Sequence, residues 1–355
     1  MDITQIKQQM TNFITDGKSE DFPQMALTLF NFQFNHNLDY QKFCIAQGKT
    51  PQTVRQWQDI PAVPIDAFKQ ATFSAIPPED AAYVFMTSGT TRGIKGKNYH
   101  LDLDVYDLAM TKFFKQKVMP QIERIDMGIL FPSPNDMPHS SLAHYLEVVK
   151  QQFGTSLSDT FINQQGIQFE SVVQSLRHAE AQGTPYALLG ASYSLVHFLD
   201  YLADHGLYFK LPKDSFIFDT GGYKNQSRDV PQSEFYSTLE KRFGVPKDKC
   251  INMYGVTELS TQFYDDGNAV SPSIKHGPHW CRSRIVNPLT LEPVPNGEKG
   301  VLIHYDLANY NSVAAIMMED IGEARNDGFI LHGRTEGALA KGCSLAVESF
   351  LNTMK

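Results

Sequence analysis

The sequence predicts an α/β protein built on a largely parallel sheet, with a smaller antiparallel element toward its C-terminal end. Three observations lead there. Residues 187–190, 192–202 and 215–219 read as strand, helix and strand, and residues 82–86, 102–117 and 127–131 repeat that order, so βαβ units are expected. A loop rich in glycines, hydroxyls and bases follows directly on the apolar run 81–85, where a ligand-binding loop of such a fold belongs. From about residue 284 the texture changes to short apolar runs at 283–287, 300–305, 314–318 and 328–332, separated by Pro and Gly turns.

The elements follow in order. The first 45 residues carry Phe13, Phe22, Leu27, Leu29, Phe30, Phe32, Phe34, Tyr40 and Phe43, an aromatic core set on helical spacing. Pro61 and Pro64 favour extended backbone, so 57–69 reads as an ordered connector into the strand at 82–86. Apolar residues at 105, 106, 109, 110, 113 and 114 have the helical period, and 127–131 is a short strand.

Bulk properties narrow the class. The chain has 355 residues, 42% hydrophobic and 20% charged, enough for a large folded unit or two lobes. No run reaches the roughly 18 apolar residues of a membrane span, and the first residues lack the basic start and apolar core of a signal peptide, so a cytoplasmic protein is expected. A net charge of −8 with scattered bases argues against nucleic acid as a partner. Cys44, Cys250, Cys281 and Cys343 show neither zinc nor disulfide spacing and are read as reduced thiols.

Chemistry concentrates in a few segments. Between 86 and 97 stand the hydroxyls of Thr87, Ser88, Thr90 and Thr91, the glycines 89, 93 and 96, and the bases Arg92, Lys95 and Lys97. Such a loop brings backbone N–H groups, hydroxyl donors and positive charge to a phosphate, whereas an ordinary turn needs none of the bases. It has neither Walker A nor dinucleotide spacing. In Met-Tyr254-Gly255-Val-Thr257-Glu258 a glycine allows close approach, a hydroxyl can meet a phosphate and a carboxylate can hold Mg2+. Gly221 and Gly222 follow the apolar strand 216–218 as a tight turn.

Together, in this order, the Thr-Ser-Gly-Thr-Thr-x-Gly-x-x-Lys loop and Tyr-Gly-x-Thr-Glu resemble the two hallmark motifs of the adenylate-forming superfamily of acyl-CoA synthetases and luciferases. That resemblance implies ATP and Mg2+ as cofactors, with Thr87, Ser88, Gly89, Thr90, Thr91, Gly93 and Lys95 around the phosphates. It implies that Gly221 and Gly222 cradle adenine, that Tyr254 and Gly255 lie beside it, that Thr257 meets the α-phosphate, and that Glu258 is the magnesium ligand. Asp320 stands where a ribose-binding aspartate belongs although the preceding Thr-Gly is missing and Glu319 adjoins it; Gly333-Arg334 resembles the hinge, with Arg334 in reach of ribose or phosphate. His139, in 134–144, is the candidate for the residue that closes the acyl pocket.

Family members continue for a lid domain beyond the hinge; here only Lys341-Gly-Cys343-Ser344 and a short amphipathic run follow, so a severely truncated lid is expected. Ser344 suits the N-cap of a helix over 345–351, whose positive end, with Lys341 nearby, favours the Cys343 thiolate. The pattern resembles the LuxE-type acyl-protein synthetases, subunits of fatty-acid reductase, from the Ile-Pro-Ala-Val-Pro-x-x-x-Phe-Lys segment at 60–69 through Gly-Cys-Ser. The resemblance implies an adenylation body over 1–335 (a helical N-terminal region over 1–80, an α/β core over 81–283, a smaller β element over 284–335) and a C-terminal segment 336–355 carrying Cys343.

It also implies a ligase that activates a fatty acid as acyl-AMP, takes the acyl group on Cys343 and delivers it to a partner acyl reductase. Lys341, Arg92 or Lys95 would then stand in for the lid lysine, or a partner subunit would complete the site. Two alternatives stay open: a short acyl-CoA ligase of the phenylacetate type, and a non-catalytic nucleotide-binding scaffold subunit.

Overall fold

The computed structural model describes residues 1–87, 94–222 and 226–334. In chain order its elements begin with α1 (Ile3–Asp16), α2 (Phe22–His36), α3 (Leu38–Ala46), β1 (Val63–Pro64), β2 (Tyr83–Met86), β3 (Lys97–His100), α4 (Asp104–Lys117) and β4 (Asp126–Leu130). Then come α5 (Ser141–Phe153), β5 (Asp159–Thr160), β6 (Ile162–Asn163), β7 (Gly166–Ile167), α6 (Phe169–Gln182), β8 (Tyr186–Ala191), α7 (Ser192–Asp204), β9 (Phe216–Thr220) and α8 (Gln232–Phe243). The rest are strands: β10 (Cys250–Tyr254), β11 (Phe263–Tyr264), β12 (Ile274–Lys275), β13 (Cys281–Val286), β14 (Lys299–Asp306), β15 (Ala315–Arg325) and β16 (Gly328–Arg334).

Two compact units result: the described residues of 1–110, 256–262 and 276–334 form one, and those of 111–255 and 263–275 the other. The chain thus passes from one unit to the other inside the Tyr254–Glu258 motif.

In the first unit, α1 starts at a reciprocal cap, Asp2 accepting from the Gln5 amide at 2.8 Å while the Gln5 side chain accepts from the Asp2 amide at 3.0 Å. Pro23 stands in the first turn of α2, where its missing N–H costs nothing. Phe22, Phe30, Phe32, Tyr40 and Phe43 are buried, as the aromatic spacing requires. β13 to β16 form an antiparallel meander, and β1 runs parallel beside β15 through the pairs Val63↔Ile316 and Pro64↔Met317. The connector expected over 57–69 is only partly extended: 3-10 turns at Trp57–Asp59 and Ile65–Lys69 flank β1, since Pro64 suits the entry of such a turn.

A second difference concerns residues 82–86. Instead of opening a βαβ unit, β2 pairs antiparallel with β3, Tyr83 to His100 and Met86 to Lys97. The reason lies past the loop, where Lys97-Asn-Tyr-His alternates exposed and buried positions, the period of a strand.

In the second unit, β5, β4, β8, β9 and β10 run parallel, with β11 antiparallel at the edge. β8 is buried at every position, as a strand covered on both faces must be. Helices α6 and α8 end at Gly183 and Gly244, both with left-handed φ near +67°. The αβ alternation from 187 to 219 matches the sequence expectation. α7, whose apolar run is expected either to line an acyl tunnel or to fill the core, buries Leu195, Phe198, Leu199 and Leu202 in the core against Phe243 and Leu239. Among the described residues no helix is long and apolar enough to cross a membrane.

Candidate active site

The first unit holds the base of the glycine- and hydroxyl-rich loop. Residues 88–93, with Ser88, Gly89, Thr90, Thr91, Arg92 and Gly93, lie outside the described residues, but both ends are defined. Thr87 N–H donates to the Gly96 carbonyl at 3.0 Å, and Gly96 N–H donates to Thr87 Oγ1 at 2.9 Å, extending the β2–β3 ladder by one rung. The loop therefore springs from a pinned hairpin, with Lys95 exposed on its returning side.

Glu258 sits against that base. Its side chain is 4% exposed, and a Cβ added to Gly96 would lie 3.0 Å from Glu258 Oε1 and 3.3 Å from Thr87 Cγ2. Any larger residue at this position would make Glu258 give way by a few tenths of an ångström. Burial pushes the Glu258 carboxyl up to about 7; the positive charges of Lys69 and Arg334 pull against this and Asp66 adds to it. A carboxyl kept from ionising by burial is suited to a cation, and magnesium favours such oxygen donors beside phosphate. Among the described residues no group of three or more His, Cys, Asp or Glu is placed to hold a metal ion.

The position of Glu258 is fixed through the main chain around it. Asn98 on β3 donates from Nδ2 to the carbonyls of Thr257 (3.2 Å) and Glu258 (3.3 Å), and Asn309 Nδ2 donates to the Glu258 carbonyl at 2.9 Å. Asp306, at the end of β14, accepts the amides of Ser260 and Thr261 at 2.8 Å each, the Thr261 hydroxyl at 2.7 Å and the Ala308 amide at 3.0 Å. Trp280 Nε1 closes the set by donating to Thr261 Oγ1 at 3.0 Å. Burial raises the Asp306 carboxyl to about 6, against these four donors, which lower it.

Beside Glu258 lies a charged group that the motif pattern does not reveal. Lys69 is 2.5 Å from Asp66 on the 3-10 turn after β1. Asp66 also shares a hydrogen bond with Glu319 on β15, and Arg334 at the end of β16 is 3.6 Å from Glu319. Burial and then the nearby Asp66 charge raise the Glu319 carboxyl. Asp320 pairs with Arg334 in the β15–β16 register, and strand alternation turns it to the face opposite Glu319. It is half-buried.

The second unit holds the glycine turn. Gly221 (φ +77°) and Gly222 follow β9 at its carboxyl end, both exposed, with open space where a Cβ would stand. Tyr254 ends β10, buried, its ring 5.9 Å from Phe263, and Gly255 after it is exposed. His139 is exposed in the turn before α5, whose N-cap is Ser140. Cys44, Cys250 and Cys281 are buried thiols, and burial pushes Cys44 up to about 12. Lys341 and Cys343 lie outside the described residues, as does the helix expected over 345–351.

Of the residues that sequence reasoning singles out, the first unit brings Thr87 and Glu258 together at Gly96, holds the Thr257 carbonyl beside them through Asn98 and lets the Arg334 charge act on Glu258; the same reasoning gives no role to Asn98, Asp306, Asn309, Asp66, Lys69 or Glu319. The available signal was a polar residue inside or just after an apolar strand, since buried amides and carboxylates persist only with partners.

The family described as acyl-protein synthetase, LuxE, matches residues 6–351. A long-chain-fatty-acid–luciferin-component ligase of Vibrio harveyi is 24% identical over 306 residues, 84% of this chain and 78% of its own. One of Aliivibrio fischeri is 26% identical over 300 residues, 82% and 76% respectively. Among solved structures, 2-hydroxyisobutyryl-CoA ligase in an open conformation with 2-HIB-AMP and CoA superposes with a TM-score of 0.60 at 12% identity, over 88% of this chain and 74% of its own. That last likeness shows the α/β fold of adenylate-forming enzymes. With the motif order, the pinned loop and a family match over nearly all its length, the chain belongs to the LuxE family of acyl-protein synthetases, which are ligases.

Proposed function

We propose that this protein activates a fatty acid with Mg-ATP and then carries the acyl group on Cys343 as a thioester for a partner acyl reductase. The observation that carries the reading is the buried Glu258 carboxylate held against the base of the loop at Gly96, with Lys69 and Arg334 supplying positive charge nearby. The names of the two bacterial ligases support a fatty acid as the substrate.

In the first step a carboxylate oxygen of the acid attacks the α-phosphorus and the bond to pyrophosphate breaks, giving acyl-AMP. Charge accumulates on the departing pyrophosphate, so fixed amides, hydroxyls and cations offset it most where water is excluded. Thr87, Ser88, Gly89, Thr90, Thr91, Gly93 and Lys95 surround the phosphates; Thr257 meets the α-phosphate; Glu258 would hold Mg2+, which would neutralise triphosphate charge. Lys69 serves as a cation of the same step. Gly221, Gly222, Tyr254 and Gly255 hold adenine, and Asp320 and Arg334 the ribose. His139 borders the acid. In the second step the Cys343 sulfur attacks the acyl carbonyl, the C–O bond to AMP breaks and AMP leaves; Lys341 favours the thiolate, and the thiol proton goes to solvent. Residues 1–335 form the activating body in this scheme and 336–355 the segment that carries the acyl group.

Incubation with radiolabelled fatty acid and Mg-ATP tests the scheme. Label should appear on the protein, be released by hydroxylamine, and vanish in Cys343→Ser while acyl-AMP still forms. Free acyl-CoA formation untouched by that substitution points to a coenzyme A ligase instead, and no ATP-dependent activation, with or without a partner, to a scaffold.

The close approach at Gly96 gives a second expectation. Gly96→Ala must push the Glu258 carboxylate aside by a few tenths of an ångström. Acyl-AMP formation, measured as pyrophosphate release, should fall by roughly tenfold or more, because misplacement on this scale removes oriented charge, with a loss of about 1 kcal/mol in stability.

A further inference from the structure

In the second unit, the carboxyl ends of β9 and β10 are tied together by a chain of buried polar groups to which the proposed chemistry gives no role. Lys275 on β12, 3% exposed, donates to the Asn252 carbonyl at 2.8 Å, to Asn252 Oδ1 at 2.5 Å and to Asp265 Oδ2 at 2.8 Å, so all three ammonium protons are committed. With its oxygen taken, the Asn252 amide turns its nitrogen to Asp219 and donates to Oδ2 at 2.9 Å. Asp219, 2% exposed, also accepts the hydroxyls of Ser192 at 2.7 Å and Tyr236 at 2.9 Å. The Gly221 carbonyl, 2.9 Å from Ser192 Oγ, is the second acceptor for that hydroxyl, whose single proton is shared between Asp219 and the glycine turn on which the chain ends. Alongside it, Asp265 Oδ1 accepts the Asn252 amide at 2.9 Å, and the Thr220 hydroxyl donates to the Met253 carbonyl at 3.2 Å.

Two carboxylates and one ammonium are thus buried where apolar side chains of similar volume would serve stability as well or better. What such a network supplies that apolar packing does not is direction: each hydrogen bond admits one orientation of its neighbour. The last groups oriented are the main chain of Gly221 and, through β10, that of Met253 beside Tyr254.

We propose that Lys275, Asp219 and Ser192 are positioning residues for the nucleotide, fixing the glycine turn after β9 and the end of β10 at the spacing that an adenine ring needs. This rests on the ATP reading above. They touch no reacting atom and act through Asn252 and the Gly221 carbonyl.

Ser192→Ala is the mildest probe, since it removes one oxygen and leaves the buried charges paired. Its KM for ATP should rise five- to tenfold in acyl-AMP formation while the KM for fatty acid stays within twofold, and amide exchange should quicken at Gly221 and Gly222 ahead of the rest of the chain. Lys275→Met should move ATP affinity the same way with a larger fall in Tm. A lowered Tm with an unchanged KM for ATP and unchanged exchange at Gly221 overturns the proposal in favour of a purely structural network. Calorimetry of wild-type protein with Mg-ATP, run first, separates the other failure: no binding there overturns the nucleotide reading and this inference with it.

Discussion

Glu258→Gln should make the protein more stable and nearly inactive. The carboxyl titrates near 7 in the folded chain against 4.5 for the free group, because burial disfavours its charge. A carboxyl raised in this way lends stability that is fully present below pH 4.5 and is lost as pH rises through 7. By pH 8 the wild type should have given up about 3 kcal/mol relative to acid conditions through this one group. Glutamine fills the same space without a charge, so urea midpoints at pH 8 should favour the variant, and the advantage should shrink toward pH 5. Acyl-AMP formation should fall by about 100-fold or more, since an amide is a poor magnesium ligand and removes charge placed for the departing pyrophosphate. A variant as active as wild type would remove Glu258 from the metal site; one with no stability gain at pH 8 would mean that Lys69 and Arg334 already compensate its charge.

Asp306→Ala should produce the largest loss of stability. One buried carboxylate satisfies two backbone amides of the 260–261 turn, one hydroxyl and the Ala308 amide, and alanine leaves all four without that acceptor. Removing one partner from a buried charged network costs about 3 to 5 kcal/mol, read as a fall in Tm of about 4 to 7 °C for a chain of this size. Asp306→Asn keeps one oxygen acceptor but turns an NH2 toward donors, so it should recover only part of the loss. Because the turn leads straight back to Glu258, any fraction that folds should also form acyl-AMP more slowly, which separates this site from an equally buried position remote from Glu258.

Much of the architecture could be read from local pattern. The six apolar positions from 105 to 114 predict α4, and all six are buried. The αβ alternation from 187 to 219 appears as β8, α7 and β9. What escaped was long-range or masked by composition. α5, α6 and α8 carry charged and amide residues on their exposed faces, which blur the apolar stripe. β2 shows a strand period but not its partner, and only Thr87 and Gly96, nine residues apart, reveal a hairpin. The site divides in the same way: Thr87, Thr257 and Glu258 announce themselves through motif spacing, whereas Asn98 meets Glu258 across 160 residues and Asn309 across 51. No local pattern encodes such pairs; a buried polar residue in an apolar setting shows only that a partner exists.

The grip on Glu258 takes hold of peptide groups and hardly at all of side chains: Asn98 and Asn309 bind carbonyls, and Asp306 binds amides. Such a fixture is indifferent to which residue occupies half-buried Val256, because every L-amino acid other than proline presents the same N–H and C=O, whereas Leu259 is packed in the core. Evolution or an engineer can therefore rewrite the Val256 side chain, and with it the surface it presents, while the carboxylate stays in place.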